Sequence, residues 1–188
     1  MESINPQLNG FIASAESISA DAQTLFGGLS EKQLNWQPNQ ETWSVGQCLE
    51  HLIKTNEEML GAVESHVNGT HRKTIFERLA LGSSYFGNYV LKAVQPENKT
   101  KLKAPKIFRP AASSVDADVV QKFVGNQQKL IDLMQSSENL DLEKTIVTSP
   151  VASFVTYSLF NAYKIVVTHE RRHFRQAQNV MKLKDFPS

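Results

Sequence analysis

The sequence predicts an all-α protein, a four-helix bundle, on three observations. Apolar residues recur every three or four positions through most of the 188-residue chain, the period of a helix with one buried face. No pair of alternating segments joined by a tight turn reads as a hairpin. One long polar stretch, Gln95 to Ser114, carries Pro96, Pro105 and Pro110 and reads as a crossover. Neither side of it would make a comfortable domain, so residues 1–188 are read as one.

The first helix is expected from about Pro6 to Phe26, with Leu8, Phe11, Ile12, Ala15, Ile18, Ala22, Leu25 and Phe26 on one face. Gly27-Gly28 supplies the backbone freedom to end it. Leu29 to Thr42, with Trp36, Pro38 and Asn39, reads as loop. Ser44 is a good N-cap for a second helix that carries Val45, Cys48, Leu49, Leu52, Met59, Leu60 and Val63 and fades at Asn68-Gly69. Lys73 to Val94 reads as a shorter helix interrupted by Gly82 and Gly87. After the crossover, helices are expected from about Val115 to Gln135 and, past Pro150, from about Ser153 to Leu183.

Composition narrows the function. Twenty Lys and Arg against nineteen Asp and Glu leave a net charge of +1; a protein that neutralises nucleic-acid phosphates carries a basic surplus or stripe. Cys48 is the only cysteine, so no internal disulfide and no CxxC motif exists, and any metal must be held by histidine and carboxylate. The N-terminus lacks a basic segment followed by an apolar one, and no apolar run approaches the roughly 18 residues of a membrane span. A cytoplasmic location is the default.

In the last helix, Val155, Leu159, Ala162, Val166, His169, His173, Gln176 and Val180 are spaced 4, 3, 4, 3, 4, 3, 4, a heptad seam facing a bundle core. Two of its inward positions are histidines. An unpaired buried imidazole nitrogen costs about 1–3 kcal/mol, so the pair is either hydrogen-bonded in the core or bound to a metal, which residues at i and i+4 can share. A third ligand decides between these. His51 is the best candidate: it lies seven residues beyond Ser44, about 10 Å along the axis. His173 and His169 precede Lys182 by nine and thirteen residues, about 14–20 Å from that end. Antiparallel helices bring the three to comparable depth; parallel ones miss by roughly 14 Å. The metal reading therefore demands an up-down-down-up bundle, with the long crossover between the second and third helices.

His169-Glu170-Arg171-Arg172-His173 also spells HExxH, in which the glutamate of a zinc peptidase is general base. Only fifteen residues follow His173, and no substrate-holding strand is expected. A di-iron centre needs a second ExxH, which is absent from the chain.

Trp36-x-Pro38 followed by Trp43-Ser44-Val45-Gly46-Gln47-Cys48-Leu49-Glu50-His51-Leu52 resembles the first signature of the DinB-like (YfiT-like) superfamily. Lys106-Ile107-Phe108-Arg109-Pro110 is similar to its middle loop, and His169-Glu170-Arg171-Arg172-His173-Phe174-Arg175-Gln176 to its closing motif. The resemblance implies the same bundle topology, frequent homodimers, and a divalent ion, nickel or zinc most often, held by His51, His169 and His173. It further implies a small-molecule substrate: members with known activity include S-transferases that use low-molecular-weight thiols and mycothiol-dependent isomerases, and many others are described as metal-dependent hydrolases. Three readings follow: a metal-dependent thiol S-transferase or hydrolase, a non-catalytic, stress-linked metal-binding bundle, or an interaction module without metal. No nucleic-acid or membrane partner is expected.

Other polar residues keep two readings each. Cys48, one turn before His51, is a pocket thiol or apolar filler. Thr55 and Glu58 line a cavity or a solvated face; Gln176 orients a ligand or makes a bundle hydrogen bond. Arg171, Arg172 and Arg175 bind an anionic substrate or form surface ion pairs. His66 and His71, beside the Asn68-Gly69 break, are expected to be exposed. Lys99, Lys101, Lys103 and Lys106 solvate the crossover. Trp36 and Trp43 pack the loop onto the bundle or contact a ligand.

Overall fold

The computed structural model describes residues 5–79, 82–98, 100, 103–111 and 114–188. The chain is mostly helical, with one small two-stranded sheet. Helix α1 spans Pro6–Phe26 and buries Leu8, Phe11, Ile12, Ala15, Ile18, Ala22 and Phe26. Asn5 caps it by accepting from the Gln7 amide. It ends at Phe26 as expected, but Gly27 has φ −63°, an ordinary right-handed turn, so no left-handed glycine terminates it.

The expected loop after α1 contains a further helix, α2 (Glu31–Asn35). Five residues are too few for a periodic signal; the trace it leaves in sequence is the capping box Ser30-x-x-Gln33. Ser44 and Gln47 form a second capping box that opens α3 (Val45–Val67). The helix expected over Lys73–Val94 is two helices, α4 (Ile75–Leu79) and α5 (Ser83–Val94). They part at Gly82, whose φ of +77° lies in the left-handed region that glycine adopts without steric cost. A short 3₁₀ turn, Lys106–Phe108, interrupts the crossover. Helix α6 runs Val119–Ser136, starting four residues later than expected. Val115 is held outside it, its amide donating to Asn35 Oδ1 at 2.6 Å and its carbonyl accepting from Asn35 Nδ2 at 3.0 Å.

The expectation of no hairpin is corrected. Strands β1 (Ile146–Thr148) and β2 (Thr156–Ser158) pair antiparallel, Val147 opposite Tyr157. Helix α7 therefore spans Leu159–Met181, and Val155, the first residue of the heptad seam, lies outside it. The physical reason is local: Val155-Thr156-Tyr157 are strand-favouring residues, and Ser158 accepts from the Asn161 amide as N-cap.

Helix α1 packs on α6 and α7, and α3 packs on the same two. Gln23, late in α1, bonds Gln121, early in α6, at 3.0 Å. Asp21 pairs with Arg171 of α7 at 2.6 Å. One apolar cluster holds Leu8, Met59, Leu130 and Val166; the other holds Ile18, Leu52, Phe123 and Phe174. Asn56, Asn126 and Glu170 interrupt the apolar sequence of their helices between those two clusters, and all three are buried. The core is thus two apolar halves with a polar layer between them. Among the described residues no helix is long and apolar enough to cross a membrane.

Helix α5 lies against α7 and β2, where a Cβ on Gly87 would meet Asn161 Cγ at 3.0 Å and Cβ at 3.2 Å. Gly87→Val is therefore expected to destabilise the protein by about 2 kcal/mol through overpacking, more than the few tenths that helix propensity returns. A lowered urea midpoint at unchanged slope checks this.

Candidate metal centre

The site begins with two helices that meet opposite ends together. His51 lies in the second turn of α3, and His169 and His173 lie near the end of α7. His51 Nε2 faces His169 Nε2 at 3.2 Å. The ring centroids are 5.0 Å apart for His51 and His169, and 4.6 Å for each of the other two pairs. One nitrogen from each of the three lies within 4.8 Å of the others, so this group could hold a metal ion. Ligand atoms 2.0–2.1 Å from a tetrahedral ion sit roughly 3.3–3.4 Å apart, close to the observed nitrogen separation. His173 Nδ1 is buried with no hydrogen-bond partner, which leaves the trio incomplete as a purely hydrogen-bonded cluster.

The crossover orients the first imidazole. Phe108, the last residue of the 3₁₀ turn, accepts from His51 Nδ1 through its carbonyl at 2.7 Å. With the proton on Nδ1, the Nε2 lone pair points at His169. The strap is fastened nearby by Ala111, whose amide donates to Glu50 Oε2 at 2.7 Å and whose carbonyl accepts from Gln47 Nε2 at 3.0 Å. Trp43 stacks on His173 at 5.7 Å and tilts against His51 at 4.8 Å.

Burial is the first cause of the low basicity of all three rings. It pushes His169 down to about 3, with His51 and Arg172 adding to the fall. His173 falls well below the usual imidazole range through burial and the neighbouring His169, His51 and Arg172. His51 falls through burial and Lys54, against the opposing hydrogen bond to Phe108. All three are thus neutral at pH 7, the form in which imidazole binds a metal.

The trio opens on a cavity of about 1780 Å³ whose walls include Tyr85, Tyr89, Val155, Phe108, Arg109 and Arg172. Thr55 and Gln176 line it as well. Cys48, Glu58, Arg171 and Arg175 do not. Cys48 is fully buried in the second apolar cluster, and burial pushes its thiol far above the ordinary range, so it is filler. Glu58 is exposed.

The arginines are occupied. Arg171 pairs with Asp21, and Arg175 approaches Glu97 at 3.7 Å. Arg172 donates to the carbonyls of Ala93, Gln95, Asn98 and Thr100, pinning the end of α5 to α7. Trp36 packs against Phe186 at 5.6 Å. Lys103 borders the cavity; Lys99 and Lys101 lie outside the described residues.

The general-base role that HExxH would give Glu170 is excluded by its direction. Glu170 is fully buried and turned into the core, where Oε1 accepts from Asn56 Nδ2 at 2.8 Å and from Gln127 Nε2. Burial raises it to about 7, against the hydrogen bonds from Asn56 and Gln127 and the charge of Arg171. Asn56 and Asn126 were legible in principle, since each takes an inward position in an apolar seam. The Phe108 carbonyl has no sequence signal, because every residue carries one.

His66 and His71 also depart from expectation. They are half-buried and stacked, with ring centroids 3.6 Å apart.

The chain is similar to the uncharacterized protein YuaE of Bacillus subtilis (strain 168), 24% identical over 154 residues that cover 81% of this chain and 86% of that protein. No solved structure matches it. The profile of the DinB superfamily matches residues 16–177, a span that contains all three converging histidines, and the chain belongs to the DinB superfamily.

Proposed function

We propose that the chain is a single-domain, metal-dependent enzyme that transfers a low-molecular-weight thiol to a small electrophile. His51, His169 and His173 would hold a divalent ion, nickel or zinc. The observation that carries the reading is the convergence of three neutral imidazoles at an open cavity with largely apolar walls. The up-down-down-up bundle belongs to the same proposal. It is supported by the meeting of early α3 with late α7 and of late α1 with early α6.

A divalent ion held by His51, His169 and His173 would supply Lewis acidity that favours the thiolate form of a thiol, its proton passing to solvent. The protein's own groups do the rest. The Phe108 carbonyl fixes the His51 tautomer, and Trp43 holds the imidazoles of His51 and His173 in place. Tyr85, Tyr89 and Val155 offer an apolar surface to the body of the electrophile and exclude water from it. In the transfer, the thiolate sulfur would bond to the electrophilic carbon and the leaving group would depart with its electron pair. The same reading takes the protein as a cytoplasmic homodimer without nucleic-acid partner, supported by the near-neutral charge and by the resemblance.

A panel of thiols and electrophiles tests it. Thiol-dependent turnover that is lost in His51→Ala is expected. Turnover with water alone, on esters or amides, would replace transfer by hydrolysis. Metal loading without turnover on any substrate would leave a binding protein.

A further inference from the structure

At the other end of α3, about 22 Å along the axis from His51, a second group of donors converges. Gly69, at φ +66°, turns the chain back so that the imidazole of His71 lies flat on that of His66, with an interplanar angle of 18°. Glu77 of α4 completes the group: one nitrogen of each histidine and a carboxylate oxygen lie within 4.8 Å of one another. We propose that His66, His71 and Glu77 form a second divalent-cation site, of the kind zinc occupies, which fastens the end of α3 to α4 and to β1.

The donor set supports this. Two neutral imidazoles and one carboxylate are a recurrent zinc ligand set that leaves a fourth position for water. The three side chains come from three segments, the end of α3, the following loop and α4. The turn at Gly69 brings the two imidazoles together, and Glu77 reaches them from α4.

Glu77 is almost fully buried. Its Oε2 accepts from His71 Nε2 at 2.7 Å and from the Thr74 amide at 2.8 Å. Its Oε1 accepts from Thr148 Oγ1 of β1 at 2.6 Å. These bonds fix the carboxylate as a ligand is fixed in a prepared site. A His71–Glu77 ion pair would explain two of the residues. It gives no role to Nδ1 of His66, which is buried with no hydrogen-bond partner. An ion gives all three a role.

The geometry is near what such an ion needs. Donor atoms around a tetrahedral zinc lie roughly 3.3–3.4 Å apart. The carboxylate oxygen and His71 Nε2 therefore have to part by roughly half an ångström, and the two stacked rings have to rotate so that their in-plane lone pairs converge on the ion. Access is open, since His66 and His71 border a cavity of about 300 Å³ shared with Gly69 and Ile146. Lys144, on the same rim, is neutralised by Asp141 at 2.9 Å. His66 Nε2 donates to the Ile146 carbonyl at 3.1 Å, which leaves the buried, unpartnered Nδ1 as the nitrogen free to bind an ion.

Zinc alone, added to tag-free full-length protein, is the probe, with elemental analysis after desalting as the readout. His169→Ala, which disables the first trio, is expected to retain one ion per chain and to gain melting temperature on zinc addition. His169→Ala/His71→Ala and His169→Ala/Glu77→Gln are each expected to retain none and to show no zinc-dependent shift. The glutamine keeps the size and hydrogen-bonding oxygen of Glu77, so it separates ligand loss from misfolding; circular dichroism of each variant checks the fold. A His169→Ala protein that holds no zinc, or double variants that hold as much as it does, would overturn the proposal. Neither result bears on the first site, which is read independently in His71→Ala.

Discussion

In a His71→Ala background, adding His169→Ala is expected to reduce bound metal from one ion per chain to none after desalting. His169 Nε2 faces His51 Nε2, so alanine leaves two imidazoles, one from each helix, where three converge. Loss of an outer partner alone costs about 10–100-fold in metal affinity; loss of a ligand is expected to exceed that. The pH dependence follows from the basicities. Protons compete with metal only where the imidazoles protonate, and burial holds all three below their ordinary value of 6.5. Metal is therefore retained as pH falls through 6.5 and released further into acid. Release centred at or above pH 6.5, or an ion that survives His169→Ala, would remove the three-histidine site.

The second large effect concerns Glu170 and is read as stability. Glu170→Ala leaves the Asn56 and Gln127 amides without the acceptor they share and opens a cavity beside them. Each unpaired donor costs about 1–3 kcal/mol, so a loss of about 3–5 kcal/mol is expected in denaturant unfolding. Glu170→Gln keeps the shape and behaves differently with pH. Burial lifts the carboxyl from 4.5 to about 7, so the folded protein holds a proton that the unfolded chain releases. The stability this provides is complete below pH 4.5 and is lost as pH rises through 7.

Glutamine has nothing to lose. In metal-free protein, Glu170→Gln is thus expected to gain on the wild type by on the order of 3 kcal/mol between pH 4.5 and 8. Taking the difference between the two proteins cancels the histidines, which act in the opposite sense: their depressed basicities destabilise the fold as pH falls below 6.5. A stability difference that does not change with pH would mean that Glu170 is charged in the core.

The sequence carried most of the helical content, because the long helices are long enough for periodicity to show. Pro6 to Phe26 was legible at both ends, and Ser44 marked the start of α3 to the residue. Elements of three to five residues were not. The helix Glu31–Asn35 and the strands Ile146–Thr148 and Thr156–Ser158 are shorter than the window in which a period can be counted, and contacts with the rest of the chain stabilise them. Val155 shows the ambiguity: it continues the spacing of the α7 seam, yet its own amide bonds the Ala152 carbonyl in the turn between the strands.

The metal reading of His51, His169 and His173 was available from sequence because helix geometry converts residue number into depth. His66 and His71 sit beside a glycine, and sequence places no partner there. Their stacking depends on Gly69 turning the chain back and on Glu77 arriving from α4. Glu170 carries the same lesson in reverse: its motif suggested a catalytic base, and packing turned it toward Asn56 and Gln127.

What the sequence determined by itself is local: which segments are helical, which faces are apolar, and which histidines share a depth. Tertiary structure decided orientation. It set Nε2 of His51 toward His169 through a carbonyl 57 residues away, and it turned Glu170 away from the cavity. The reason is physical: period and propensity act within a few turns of chain, whereas the direction of a buried polar side chain is fixed by whichever distant group completes its hydrogen bonds.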